Sequence, residues 1–165
     1  MWSIEPVAID RPEAVTVIRD YLGYVASRFY GRPATSTEVD AAPAAEPAAD
    51  LAVFLLARDG DKVTGCVGLR LLDPRIAELT KLFVYPAARG HGGGSRLLSA
   101  AERTARELGA VVMRLNTRSD LVEAKALYTA HEYVEVEPYT NGPYVDHCFE
   151  KSLRRSDVCR ARSRL

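Results

Sequence analysis

Residues 89–94 read Arg-Gly-His-Gly-Gly-Gly, and Ser95 follows. Ahead of them, Leu82, Phe83 and Val84 favour a strand, which Pro86 closes. Behind them, Leu97, Leu98, Ala101, Ala105 and Leu108 recur at helical spacing, and Gly109 supplies the stop. A run of glycines therefore sits at the N-terminus of an amphipathic helix. There, unpaired backbone N–H groups and the helix dipole favour an anion, and glycines let the backbone approach it closely. The residues read as a phosphate or pyrophosphate cradle. A nucleoside-triphosphate loop is excluded, because no Lys-Ser/Thr pair ends the run. The dinucleotide fingerprint is incomplete: Gly90 and Gly92 lead to Ser95, and the strand over 110–116 ends without an acidic residue. A ligand-free glycine connection would explain neither the order strand, loop, helix nor the arginine that opens the loop.

Other residues could move protons. Glu78 precedes the strand segment that leads into the loop. It could serve as a base, hold an ammonium group, or be a surface charge at a strand start. Tyr128 lies on a helix with Leu121, Ala124 and Leu127 on one arc, and spacing alone reads it as a packed aromatic. Its phenol can also donate a proton at neutral pH. Asn116 either bonds a ligand beside the central strand or turns the strand end. His91 is expected to act through its backbone, and His131 and His147 have no partner legible in the sequence. Tyr139 and Tyr144 flank an Asn141-Gly142 turn and could line a substrate pocket, although hairpin packing is the simpler reading.

RGHGGG resembles the Arg/Gln-x-x-Gly-x-Gly/Ala signature of the GNAT-family N-acetyltransferases. The segment AELTKLFVYPAARGHGGGSRLL is similar to that family's fourth strand, pyrophosphate loop and following helix. LNTRSDLVEAKALYTAHEYVEV is similar to its next strand, a helix bearing Ala-x-x-x-Tyr, and the strand after it. The resemblance covers 77–136 well and 51–150 more loosely. It implies acetyl-CoA as cosubstrate, with the backbone from Arg89 through Gly90, His91, Gly92, Gly93 and Gly94 to Ser95 holding the pyrophosphate. It further implies that Leu82, Phe83 and Val84 pair with the pantetheine arm, that Asn116 could bond the same arm, and that an N–H near Leu82 faces the thioester oxygen. Tyr128 then becomes the acid for the leaving thiolate, and Glu78 the base. The implied acceptor is a primary amine, with a small molecule preferred over a drug or a protein amine. The other class considered is a non-catalytic acyl-CoA-binding or regulatory module. Two positions depart from the family: Glu132 stands where a glycine is usual, and Leu121 where some members carry an asparagine.

The chain has 165 residues, 47% of them hydrophobic, which suits one packed domain. Expected boundaries are 1–153 for the domain and 154–165 for a basic, solvated tail. Lys plus Arg is 22 and Asp plus Glu is 22, so a zero net charge argues against nucleic-acid binding as the main function. Cys66, Cys148 and Cys159 make no metal-binding pair, and free thiols suit a reducing compartment. No apolar run suits a membrane span and no leader is evident, so the cytoplasm is expected; a homodimer is admitted.

The expected fold is α/β: a mixed, mostly antiparallel sheet, splayed at the cofactor strand, with helices on both faces. Residues 3–9 suggest a strand. Asp10 is expected to cap a helix that carries Val15, Ile18, Leu22, Val25 and Phe29 and stops near Gly31. Residues 34–50 read as a mobile or loosely helical connection, as a lid or as a plain surface loop. The apolar run 51–57 suits a strand buried on both faces, and Asp59-Gly60 a hairpin turn. Strands follow at 63–72, 110–116, 133–136 and 144–151, with a helix opened by Asp120 and Glu123. In the central strand the alternation changes phase between Leu79 and Leu82, as either a bulge or burial on both faces would cause; the GNAT resemblance implies a bulge that splays this strand from the next.

Overall fold

The structure is a computed structural model that describes residues 2–44, 47–142 and 144–154. The elements are β1 (Trp2–Pro6), α1 (Pro12–Tyr30), α2 (Ser36–Ala41), β2 (Val53–Asp59), β3 (Lys62–Asp73), β4 (Ile76–Val84), α3 (Gly93–Glu107), β5 (Val112–Thr117), α4 (Val122–Ala130), β6 (Val134–Val136) and β7 (His147–Ser152). Among the described residues, seven strands form one sheet in the order β1-β2-β3-β4-β5-β7-β6. All neighbours are antiparallel except β4 and β5, which are parallel and joined through α3.

Both faces of the sheet are covered, and the sequence pattern explains how. Along β2, Phe54 and Leu56 face α1, which answers with Ala14, Val17, Tyr21 and Leu22. Leu55 and Ala57 face the opposite layer, where α3 buries Leu97, Leu98, Ala101 and Ala105 and α4 adds Tyr128. Burial on both sides is why β2 reads as a continuous apolar run rather than an alternation. Each fully buried leucine contributes roughly 1.5–3 kcal/mol to holding these layers together.

The expected bulge is present. Cys66 pairs with Phe83 and Gly68 with Thr80, so Val67 on β3 opposes two residues, Lys81 and Leu82, on β4. Lys81 absorbs the extra residue with φ +55. Beyond the bulge, β4 rides close over β3: a Cβ added to Gly65 would stand 2.4 Å from the Phe83 carbonyl oxygen. On its other edge β4 pairs with β5 only over Ile76, Ala77 and Glu78. From Leu79 onward that edge has no partner strand, and the sheet opens.

Several local expectations are corrected. Asp10 does not cap α1; Arg11 occupies that position without a side-chain bond, and Pro12 begins the helix. Asp120 does not cap α4 either, because its carboxylate is taken by Arg118. Within 34–50, a reciprocal capping box between Thr35 and Glu38 sets α2, so this part of the connection is a defined helix. The last strand begins at His147 rather than near 144. Glu132 has φ +71, so a glutamate carries the left-handed turn that ends α4. Cys66 and Cys148 are buried free thiols, while Cys159 and the tail beyond Arg154 lie outside the described residues.

Because the Gly65 contact is with backbone, it cannot be relieved by a side-chain rotation. Gly65→Ala should destabilise the protein by about 2 kcal/mol or more, measured by urea unfolding. An unchanged midpoint would show that β4 can shift away from β3 at no cost.

Candidate active site

The opening between β4 and β5 is the mouth of a cavity of about 970 Å³. Its walls include Glu78 and residues 79–84 of β4, Arg89, Gly90 and Gly92 to Ser95 of the loop, Asn116 of β5, and Leu127 and Tyr128 of α4. Most of the residues singled out in the sequence thus meet in one space. Among the expected cofactor contacts His91 is the exception: it is exposed and does not line the cavity, and neither do Tyr139, His131 and His147.

At one end is the glycine loop. Gly90 and Gly92 take φ +86 and +74, conformations that favour glycine. Gly92 is the N-cap of α3 and supplies no side chain, so the N–H groups of the first turn, at Gly93, Gly94 and Ser95, have no side-chain cap. The first helical bond runs from Arg96 N–H to the Gly92 carbonyl, 3.1 Å. The glycines do not all have the same cause. A Cβ on Gly93 would fall 2.1 Å from the Trp2 indole, so Gly93 is required by packing against β1, while one on Gly94 would meet Leu127 Cδ2 at 3.2 Å. Arg89 turns back: its Nε donates to the Val84 carbonyl at 2.9 Å and its guanidinium lies 4.7 Å from the Tyr24 ring centroid. It ties the loop to the end of β4. His131 Nε2 and Ser95 Oγ are 2.9 Å apart and link α4 to the start of α3.

At the other end of the β4 segment is Glu78, 8% exposed. Arg70 Nη1 donates to its Oε1 at 2.6 Å and the Tyr139 hydroxyl donates to its Oε2 at 2.8 Å. Burial pushes the Tyr139 phenol up, so it remains a protonated donor. Asn116 Nδ2 donates to the Tyr139 oxygen at 3.4 Å, which places Asn116 within its strand and not at a turn. Arg70 also forms a two-pronged pair with Asp50, 2.7 and 3.0 Å, and that pair holds the Asp50 carboxyl below its ordinary range. Sequence reasoning missed Arg70, Asp50 and the role of Tyr139. The one signal for Arg70 was its place opposite Glu78 in the β3–β4 register.

Tyr128 is 6% exposed, and its ring packs 5.9 Å from that of Tyr133 and 6.3 Å from that of Phe149. It belongs to the core and lines the cavity at once. Arg118, also missed, is 8% exposed; it bonds Asp120 and the Val25 carbonyl and sits 5.4 Å from the Phe29 ring. His147 lies away from the cavity, between Glu135 and Ser119.

The sequence profile of the Acetyltransferase (GNAT) family matches residues 20–133. The chain belongs to the GNAT acetyltransferase family. It is 40% identical over 102 residues to the mycothiol acetyltransferase of Sanguibacter keddieii, covering 58% of this chain and 32% of that protein. It is 34% identical over 92 residues to the IAA acetyltransferase of Azospirillum brasilense, covering 55% of this chain and 59% of that one. The chain therefore spans less than two thirds of the length of either curated relative. In fold it is similar to the PaiA N-acetyltransferase of Thermoplasma acidophilum, solved with coenzyme A, at a TM-score of 0.71 and 17% identity over 92% of this chain and 99% of that one. Acetyl-CoA fits the family as cosubstrate, and the features it requires are here: uncapped helix N–H groups for a diphosphate and an unpaired strand edge for an extended arm. No helix among the described residues is long and apolar enough to cross a membrane.

The Arg70 cluster makes an unequal prediction. Arg70→Met strands two carboxylates, one of them buried, and should cost about 2–4 kcal/mol. Asp50→Ala leaves Arg70 with Glu78 and should cost less than about 1 kcal/mol. Urea denaturation of the two variants checks the order; equal losses would mean that Arg70 does not stabilise Glu78.

Proposed function

We propose that the protein transfers an acetyl group from acetyl-CoA directly to a primary amine of a small molecule. The observation that carries this reading is the sequence of groups along one cavity. Uncapped N–H groups lie at one end, an unpaired strand edge runs beside them, and a buried carboxylate lies six residues back along β4, about 20 Å of strand. Two of the curated relatives are named for mycothiol and for IAA rather than for a protein acceptor, which supports a small molecule.

Bound acetyl-CoA supplies an acyl group already activated as a thioester. The N–H groups of Gly93, Gly94 and Ser95 bind its diphosphate, with Gly90 and Gly92 shaping the loop and Arg89 fixing the loop to β4. The open edge at Leu82, Phe83 and Val84 orients the arm as an added strand would. An N–H near Leu82 stabilises the carbonyl oxygen as charge develops. Glu78 receives the acceptor's ammonium group and takes its proton, directly or through water. Its two hydrogen-bonded oxygens keep free lone pairs for that purpose. The Tyr128 hydroxyl holds the proton that the departing sulfur takes. Asn116 acts through Tyr139, which makes it a positioning residue for Glu78.

Tyr128→Phe tests the reading, because it keeps the ring and its packing and removes only the hydroxyl. Thiol release from acetyl-CoA should slow by about 100-fold in kcat, with acetyl-CoA affinity and thermal stability little changed. A wild-type rate with chemistry rate-limiting would leave Tyr128 as core alone. Binding of CoA with no thiol release for any amine would favour a non-catalytic acyl-CoA-binding module.

A further inference from the structure

Resting on the acetyl-transfer reading above, we infer that the acceptor is a monoamine carried on an aromatic body, and not a polycation. The cavity extends past Glu78 to a region walled by the end of α1, by α2 and by the connection between β6 and β7. Three aromatic side chains meet there. Phe29 and Tyr144 are edge to face with centroids 5.1 Å apart, and Phe29 and Tyr30 with centroids 5.2 Å apart. Together they bridge α1 and the β6–β7 connection at the cavity.

These rings are not explained by the core. None belongs to either buried cluster, and they remain 47%, 43% and 36% exposed for Phe29, Tyr30 and Tyr144. A contiguous aromatic surface that lines a cavity and supports no packing layer is suited to a ligand. Such rings accept another aromatic edge to face, while Arg118 and Arg32 already lie over Phe29 and Tyr30, 5.4 and 4.8 Å from their centroids, so the ammonium group is left to Glu78.

Charge argues the other half. The carboxylates lining the cavity among the described residues are Glu38, Glu78 and Glu123. Each faces its own arginine: Arg32 at 2.8 Å, Arg70 at 2.6 Å and Arg28 at 3.2 Å. The same walls carry Arg70, Lys81, Arg89 and Arg118, so four cationic side chains stand against three carboxylates. An acceptor with three or more ammonium groups would set its extra charges among compensated acids and fixed cations. A single ammonium finds Glu78, and the rest of the molecule finds rings.

The test measures thiol release from acetyl-CoA with 2-phenylethylamine, n-butylamine, spermidine and kanamycin. The kcat/KM for 2-phenylethylamine should exceed that for spermidine and for kanamycin by about tenfold or more. Phe29→Ala and Tyr144→Ala, each checked for folding by circular dichroism, should raise the KM for 2-phenylethylamine about tenfold. Their effect on n-butylamine should be clearly smaller. A preference for spermidine or kanamycin would overturn the acceptor class and leave acetyl transfer standing. Equal losses for the aryl and alkyl amines in both variants would also overturn it. Bound CoA with no thiol release for any of the four would overturn this inference, while acetyl transfer itself falls only if a wider screen of amines also gives no release.

Discussion

One extra residue in β4 sets the rest of the site. A strand that paired fully on both edges would leave no space inside the sheet. The bulge at Lys81 and Leu82 twists β4 so that it holds β3 and leaves β5 after Glu78. That distortion has a cost, since Lys81 stands at φ +55, where a residue with a Cβ is strained. The neighbours accommodate it. Gly65 has no Cβ to strike the Phe83 carbonyl, and the Cys66 thiol donates to the Lys81 carbonyl at 3.3 Å. Burial pushes that thiol's pKa up, so it stays a protonated donor. Strand pairing beyond Glu78 is given up, and a cavity with an unpaired strand edge is gained.

The two ends of this cavity are organised by different physics. At the loop, the backbone does the work: an uncapped helix start, two left-handed glycines, and an arginine that points back to the strand instead of toward a ligand. At the Glu78 end, side chains do. Arg70 joins Glu78 to Asp50 on the segment that follows α2, and Tyr139 joins Glu78 to Asn116 and the β6–β7 connection. Glu78 is thus the point where the segments around this end of the cavity are tied to the sheet. Its position is held from two sides before any ligand arrives.

What the sequence revealed was whatever has a local cause. The glycine loop, the apolar stripe of α3, the doubly buried β2 and the phase change in β4 follow from propensity and period, and each is present. Glu132 stood out only through the family resemblance, which has a glycine at that position, and its φ of +71 is the left-handed conformation a glycine would take there. The partners of Glu78 were not legible. Arg70, Asp50 and Tyr139 come from separate parts of the chain and meet only when the sheet is built. Gly93 was read as a phosphate-contacting glycine, and the ring of Trp2, at the far end of the chain in sequence, is what forbids a Cβ there. The cap expected at Asp10 is absent, Arg11 taking the N-cap position, and at the start of α4 the Asp120 carboxylate is held by Arg118.

Amide hydrogen exchange with and without saturating CoA addresses the open strand edge most directly. Amides within residues 79–84 of β4 should exchange more slowly with CoA bound, together with those of Gly93, Gly94 and Ser95. Protection at the loop alone, with the β4 amides unchanged in a protein shown by calorimetry to bind CoA, would contradict the claim that the splayed edge of β4 receives the cofactor.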